Sequence, residues 1–462
     1  MHAPVSGSPG TAPAAPSPAL SLSPALLFLL VFVEGFVSLG AEILALRRLV
    51  PHVGSAITVT APTIAFFLLA LALGYQAGGQ VAGDYLARVR RNFLLAAALI
   101  ALGLAGPVVE LAFARLQPAP VAWLLGQTVP ILTNLLRHER VGARSGAALY
   151  WSTLGSFLGA LTLSMGVMQW LGVGAAVLVC TGLLLAAVPA LGRAAGARLP
   201  SAVAALAIAA VALAVNLMLP QQLETAYATY RVEAVAIPGY VAPEVLRINN
   251  SPASILDADE PPRYARYIRR LRDLLLDELG FRGRSVLVLG AGGFTLSHRE
   301  PLNRYVYVDI DPAVKEIAER DFLREPVRGE FVAADARAHL RATAARHDAV
   351  VVDVYSALTS IPAHLVTREF WRATRTVLKP GGVLAANLIL DRELASPYAR
   401  SLLASIQAEY GACAVEVLFR DRPQGNVLVI CTAPSTAHAA QEPALPYTDE
   451  RNRADLDVLR GS

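Results

Sequence analysis

Apolar positions along the first 220 residues form runs whose length, more than their period, is informative. Runs at roughly 24–46, 57–79, 92–114, 146–170, 172–192 and 199–219 are long enough to cross a bilayer as helices. A weaker run at 120–136 contains Pro130, which neighbouring helices can tolerate. The pattern therefore predicts about seven spans in a domain over 23–220. Ahead of it, residues 1–22 are rich in Ala, Pro, Ser and Gly and lack the basic segment of a secretory signal, and so read as a disordered tail.

From Leu223 onward the pattern shortens. Alternating stretches at 228–237 and 244–249, separated by Pro238 and Gly239, predict a β-hairpin region over 221–257. A helix is expected from about Pro262 to Glu278. Strands then alternate with helices: Ser285–Gly290, Tyr305–Asp309, Phe331–Asp335, Ala349–Tyr355 and Gly382–Ile389, with a helix near 397–410 and strands at 413–420 and 426–432. Continuous apolar strands in βαβ order predict a doubly wound, Rossmann-like parallel sheet over 258–435. Residues 436–462 read as a C-terminal tail.

Charge divides the chain at the same place. The first 220 residues hold 11 Arg, no Lys and five acids, against 60 charges in the remaining 242. With 55% hydrophobic and 16% charged residues overall, an ordinary soluble single domain, at roughly 25% charged, is excluded. The net charge of +4 raises nucleic acid as a partner. Basic loops flanking membrane spans explain the excess more simply, and nucleic acid is set aside. The three cysteines, Cys180, Cys413 and Cys431, show no zinc spacing, so no metal is expected, and Cys413 and Cys431 are read as reduced core thiols.

The chemistry gathers at strand ends. The strand Val286–Leu289 runs into Gly290-Ala291-Gly292-Gly293, and Asp309 ends the next strand 19 residues after Gly290. A Gly turn admits a ligand to the backbone, and an acid at that distance suits the ribose hydroxyls of a nucleoside. Asp335, followed by Ala336, suits an adenine amino group or caps the next helix. Asp353 ends the fourth strand in the same crevice, as a functional acid or as a cap. In the first span, Glu34 and Glu42 lie on about one helix face, roughly 12 Å apart along the axis. An intramembrane acid points to a cation pathway or amine contact, while an ion pair of Glu42 with Arg47 or Arg48 is the structural alternative. Small residues at 153–166 read as helix-packing contacts.

These segments resemble spermidine synthase, the polyamine aminopropyltransferase family, through Val-Leu-Val-Leu-Gly-Ala-Gly-Gly at 286–293, Val-Asp-Ile-Asp-Pro at 308–312, Ala-Asp-Ala-Arg-Ala-His-Leu at 334–340, Leu-Val-Thr-Arg-Glu-Phe-Trp at 365–371 and Leu-Lys-Pro-Gly-Gly-Val-Leu at 378–384. Leu246-Arg247-Ile248-Asn249-Asn250 is similar to the family's N-terminal β region. Glu34-Gly35, Ala41-Glu42-Ile43 and Gly74-Tyr75 to Asp84 are similar to bacterial members with several spans. The resemblance implies decarboxylated S-adenosylmethionine as co-substrate, a putrescine-like amine as acceptor and methylthioadenosine as product. It assigns Gly290, Ala291, Gly292, Asp309, Asp335 and Ala336 to the co-substrate.

It also marks departures. The loop Asp that grips the amine is replaced by Gly293, followed by Phe294, and the Asp that serves as base is replaced by Ser356. A Gln and a His of the family fall on Ala253 and on or beside Tyr264, so Tyr264 is the candidate amine contact. Asp353 with Tyr355 is the candidate substitute base. Methyl transfer from S-adenosylmethionine needs none of the missing acids and is the alternative reaction; a transporter or sensor without catalysis is the alternative class. The expected surroundings are the inner cell membrane and its lipid bilayer, with a homodimer left open. Loop arginines, eight in loops two, four and six against three in the others, place the second half outside if there are seven spans. The cytosolic co-substrate places it in the cytoplasm, and the weak run at 120–136 is then the span miscounted.

Overall fold

A computed structural model describes residues 23–53, 57–102, 118–135, 141–194, 198–218, 223–225, 227–249, 251–257, 260–355, 361–419, 421–433 and 445–461. The expected tail at 1–22 and Ser356 lie outside the described residues.

The first half is helical. Among the described residues three helical stretches are long and apolar enough to cross a membrane: Pro24–Leu49, Thr60–Gly79 and Gly142–Leu191. Of the seven expected spans, the described residues thus bear out only part. The runs expected at 146–170 and 172–192 form one helical stretch that breaks at Gly172, whose φ of 81° and ψ of 172° leave the helical region. The run at 120–136 forms two short helices, Pro118–Gly126 and Thr128–Thr133, and the run at 92–114 is described as a helix only over Tyr85–Leu102. Helix Pro24–Val53 packs on Val141–Leu161 through glycines. A Cβ at Gly35 would lie 2.0 Å from the Ser152 carbonyl oxygen, and one at Gly155 would lie 2.2 Å from that of Phe32. Small residues let the two backbones approach, as the packing reading expects.

The second half opens with an antiparallel meander of five strands, more than the hairpin expected. These are β1 (Leu223–Glu224), β2 (Thr229–Ala234), β3 (Pro243–Ile248), β4 (Ser251–Asp257) and β5 (Arg263–Tyr264). A larger sheet follows, built from β6 (Ser285–Leu289), β7 (Arg304–Asp309), β8 (Glu330–Ala333), β9 (His347–Val352), β10 (Leu378–Asp391), β11 (Ala414–Val417) and β12 (Gln424–Thr432). Its order is β11-β12-β10-β9-β6-β7-β8. β8, β7, β6, β9 and β10 are parallel, whereas β12 runs antiparallel to β10 and β11 antiparallel to β12. The sheet is thus mixed, and the all-parallel expectation fails at one edge, where a short connection makes a hairpin. The central strands β6 and β9 are buried almost throughout, which is why they read as continuous Val and Leu.

Two further expectations are corrected. Cys413 and Cys431 are joined as a disulfide, because they face each other across the β11–β12 pairing. The segment after 444 is not a featureless tail: Tyr447 is buried and donates from its hydroxyl to Asp457, and Ala454–Gly461 is a helix.

Candidate active site

The C-terminal ends of the parallel strands converge on one cavity of about 400 Å³, within the roughly 300–1,000 Å³ range of small-molecule sites. It sits where an open α/β sheet places its ligand. Gly290 follows β6 with φ +88°, and a Cβ there would lie 2.1 Å from the Asp353 carbonyl oxygen. Only glycine allows β6 and β9 to pinch together at this point. The neighbouring Ala291 does not line the cavity; its amide donates to Asp309 Oδ2 at 2.9 Å.

Four carboxylates border the space, each held differently. Asp309 also accepts the Asp311 amide on Oδ1 at 3.0 Å. Burial pushes its pKa up, opposed by these two amides. Asp311 accepts the hydroxyls of Thr225 and Tyr230 on Oδ2, at 2.5 and 2.7 Å. Asp335 does cap the following helix, its Oδ1 accepting the Ala338 amide at 2.9 Å, while Oδ2 faces His364 Nε2 at 3.0 Å. Although burial alone would raise it, that amide and His364 hold its pKa below the usual value. Ala336 lines the same wall.

Asp353 is fully engaged. Tyr267 donates its hydroxyl to Oδ2 at 2.9 Å and Asn387 its amide to Oδ1 at 2.8 Å. Burial raises its pKa, and the two hydrogen bonds only partly offset this. Asn387 is fixed in turn by Asn426, whose Nδ2 donates to Asn387 Oδ1 at 2.9 Å. Tyr355 lines the cavity but is no base. Its hydroxyl donates to the Asn387 carbonyl at 2.9 Å and accepts the Ile389 amide at 2.7 Å, and burial raises its pKa well above 10.

The other expected residues lie elsewhere. Tyr264 is outside this cavity, its hydroxyl 2.9 Å from His298 Nδ1. Three positions on, Tyr267 lines the cavity instead. Glu34 and Glu42 are buried in the helical half. Glu34 accepts the Ser152 hydroxyl at 2.8 Å, and Arg47 donates to the Thr225 carbonyl at 2.6 Å rather than pairing with Glu42. The run Arg263–Arg272 interleaves arginine with tyrosine. Its tyrosines are buried and Arg270 is paired with Glu278 and Glu416, so no flat basic-aromatic face results. Asp311, Tyr267, Asn387 and Asn426 are missing from the sequence reading. Asn387 and Asn426 carry the one available signal, a polar residue inside an otherwise apolar strand.

No protein-family model matches the chain. The chain is 27% identical over 459 residues to the polyamine aminopropyltransferase of Mycobacterium tuberculosis, covering 88% of this chain and 86% of that protein. Over most of its length the chain is thus similar to a polyamine aminopropyltransferase, the spermidine synthase family. Another relative, the polyamine aminopropyltransferase of Vibrio vulnificus, is 33% identical over 117 residues, 24% of this chain and 39% of its own. Among solved structures, a probable spermidine synthase from Corynebacterium glutamicum superposes with a TM-score of 0.40 at 21% identity, covering 47% of this chain and 81% of that one. Gly293, at the end of the glycine turn, is closely packed. A Cβ there would lie 2.5 Å from a ring carbon of Phe322 and 2.8 Å from Ser254 Cβ.

Proposed function

We propose that the chain transfers the aminopropyl group of decarboxylated S-adenosylmethionine to putrescine or a related amine. The observation that carries this reading is the convergence of Asp309, Asp335 and Asp353 on one cavity beside the Gly290–Gly292 turn. Each oxygen of Asp309 already accepts one amide and has a second lone pair for a ribose hydroxyl. Asp335 and Ala336 stand where the adenine would lie. The amine nitrogen attacks the propyl carbon attached to sulfur, the C–S bond breaks, and its electron pair stays on sulfur as neutral methylthioadenosine. Asp353 takes the amine proton, and its raised pKa matches that task better than an ordinary aspartate would. Tyr267 and Asn387 fix its direction.

The apolar helices are read as embedding the protein in a lipid bilayer, with the α/β half in the cytosol where the co-substrate is available. The filled space at Gly293 favours a second reading, methyl transfer from S-adenosylmethionine, which requires no carboxylate there. The test uses the full chain in lipid nanodiscs. Methylthioadenosine released from decarboxylated S-adenosylmethionine and putrescine supports aminopropyl transfer. Adenosylhomocysteine released from S-adenosylmethionine supports methylation, and neither product across a panel of amines overturns both.

A further inference from the structure

The helical half reaches the cavity through a short path. Its first anchor is Arg47, near the end of the Pro24–Val53 helix, whose Nη2 donates to the Thr225 carbonyl at 2.6 Å. The second is the break at Gly172. Because the helix is interrupted there, the Val173 amide is released from the helical ladder and donates to Glu224 Oε2 at 2.5 Å. A carboxylate at the start of the second arm is favoured by the helix dipole as well. Glu224 and Thr225 are thus held at two points by the helices.

The path continues inward. The Thr225 hydroxyl donates to Asp311 Oδ2, which also receives the Tyr230 hydroxyl. The Asp311 amide donates to Asp309 Oδ1, and Asp309 Oδ2 receives the Ala291 amide of the glycine turn. Tyr230, Asp311 and Asp309 all line the cavity, so the path is part of its wall. The guanidinium of Arg47 is further attracted by the carboxylates of Glu224 and Asp311.

We infer that Arg47 and Glu224 are positioning residues, through which the helical half holds the Asp309–Asp311 wall and the glycine turn in the geometry that binds the nucleoside. This rests on the proposed adenosyl co-substrate for its consequence, but not for its geometry. Freed from the two anchors, the wall is held from within the α/β half alone.

The test combines hydrogen–deuterium exchange with calorimetry on the full chain in nanodiscs. Without ligand, Arg47→Ala speeds exchange at least threefold in peptides covering 290–294 and 309–313, while peptides covering β9 and β10 are unchanged. Arg47→Lys keeps a donor and recovers most of the protection. Thr225→Val, which leaves the helices untouched, gives the same local pattern at 309–313. With methylthioadenosine as probe, Kd rises about three- to tenfold in Arg47→Ala and Glu224→Gln, a fraction of what a lost hydrogen bond to a charged group can cost directly. In turnover, KM for decarboxylated S-adenosylmethionine rises while kcat at saturation changes less than twofold, a split that general destabilisation would not give. Unchanged exchange in Arg47→Ala and Thr225→Val overturns the inference. If the wild type binds no adenosyl compound while exchange still responds, the positioning stands and the functional reading falls. If the wild type binds and both Kd and exchange ignore Arg47→Ala, the reverse holds.

Discussion

Both halves of the molecule bury acids, and they use them in different ways. In the helical half Glu34 is enclosed between two close-packed helices and satisfied by the hydroxyl of Ser152. In the α/β half Asp309, Asp335 and Asp353 sit at the open ends of strands, each held by hydrogen bonds yet bordering the cavity. A buried carboxylate is costly in either place. What separates them is access: an acid beside empty space can meet a ligand, and an acid sealed into a helix crossing meets its neighbours in the protein.

The sharpest way to break this contrast is Asp353→Asn. Loss of a positioned base lowers kcat by about 10²–10⁴-fold, while methylthioadenosine binding measured by calorimetry is retained. The pH profile adds a check. As pH falls through the raised pKa, Asp353 takes up a proton and loses the ability to accept one, so the acid limb of kcat/KM lies above the ordinary aspartate value of 3.8. Next in size, Asp309→Ala weakens methylthioadenosine binding by about 10- to 100-fold, the range for charge-assisted hydrogen bonds. Gly290→Ala forces a side chain onto the Asp353 carbonyl at a positive φ. It lowers unfolding stability by about 2–4 kcal/mol in thermal denaturation. His364→Ala removes an exposed partner of Asp335 and raises KM for the co-substrate only about two- to fivefold. The smallest effect is expected in the helical half: Glu34→Gln preserves the Ser152 contact and changes turnover by less than about twofold. A large loss of turnover there, with binding intact, would erase the distinction between the two sets of acids.

Much of this was open to sequence reasoning because strand periodicity and glycine turns are local. The Gly290–Gly292 turn and Asp353 follow buried apolar strands, Asp309 ends β7 and Asp335 follows the half-exposed β8, and the structure brings them together at one sheet edge. Strand β4 was not readable, since Pro252 interrupts the alternation and its pairing with β3 shifts register between Leu246 and Arg247. Choosing Tyr267 over Tyr264 depends on which way the chain turns as it enters the helix at Arg266, and that is set by tertiary packing. The disulfide escaped because cysteine burial argues equally for a thiol and for a bonded pair until the strand register is known. The runs at 146–170 and 172–192 were legible as two, and the structure carries both in one helical stretch of 50 residues broken at Gly172.

The reversed direction of β12 has a consequence for how this catalyst can be altered. The parallel strands β6, β7, β8 and β9 offer the cavity residues at their C-terminal ends or just after them. β12 offers its beginning instead: Asn426, opposite Ile389, is the third residue of the strand. Exchanging residues 421–423, just ahead of β12, therefore reaches the region around Asn387 from the opposite side to the glycine turn and the acids at 309 and 335, so this wall of the cavity can be altered separately.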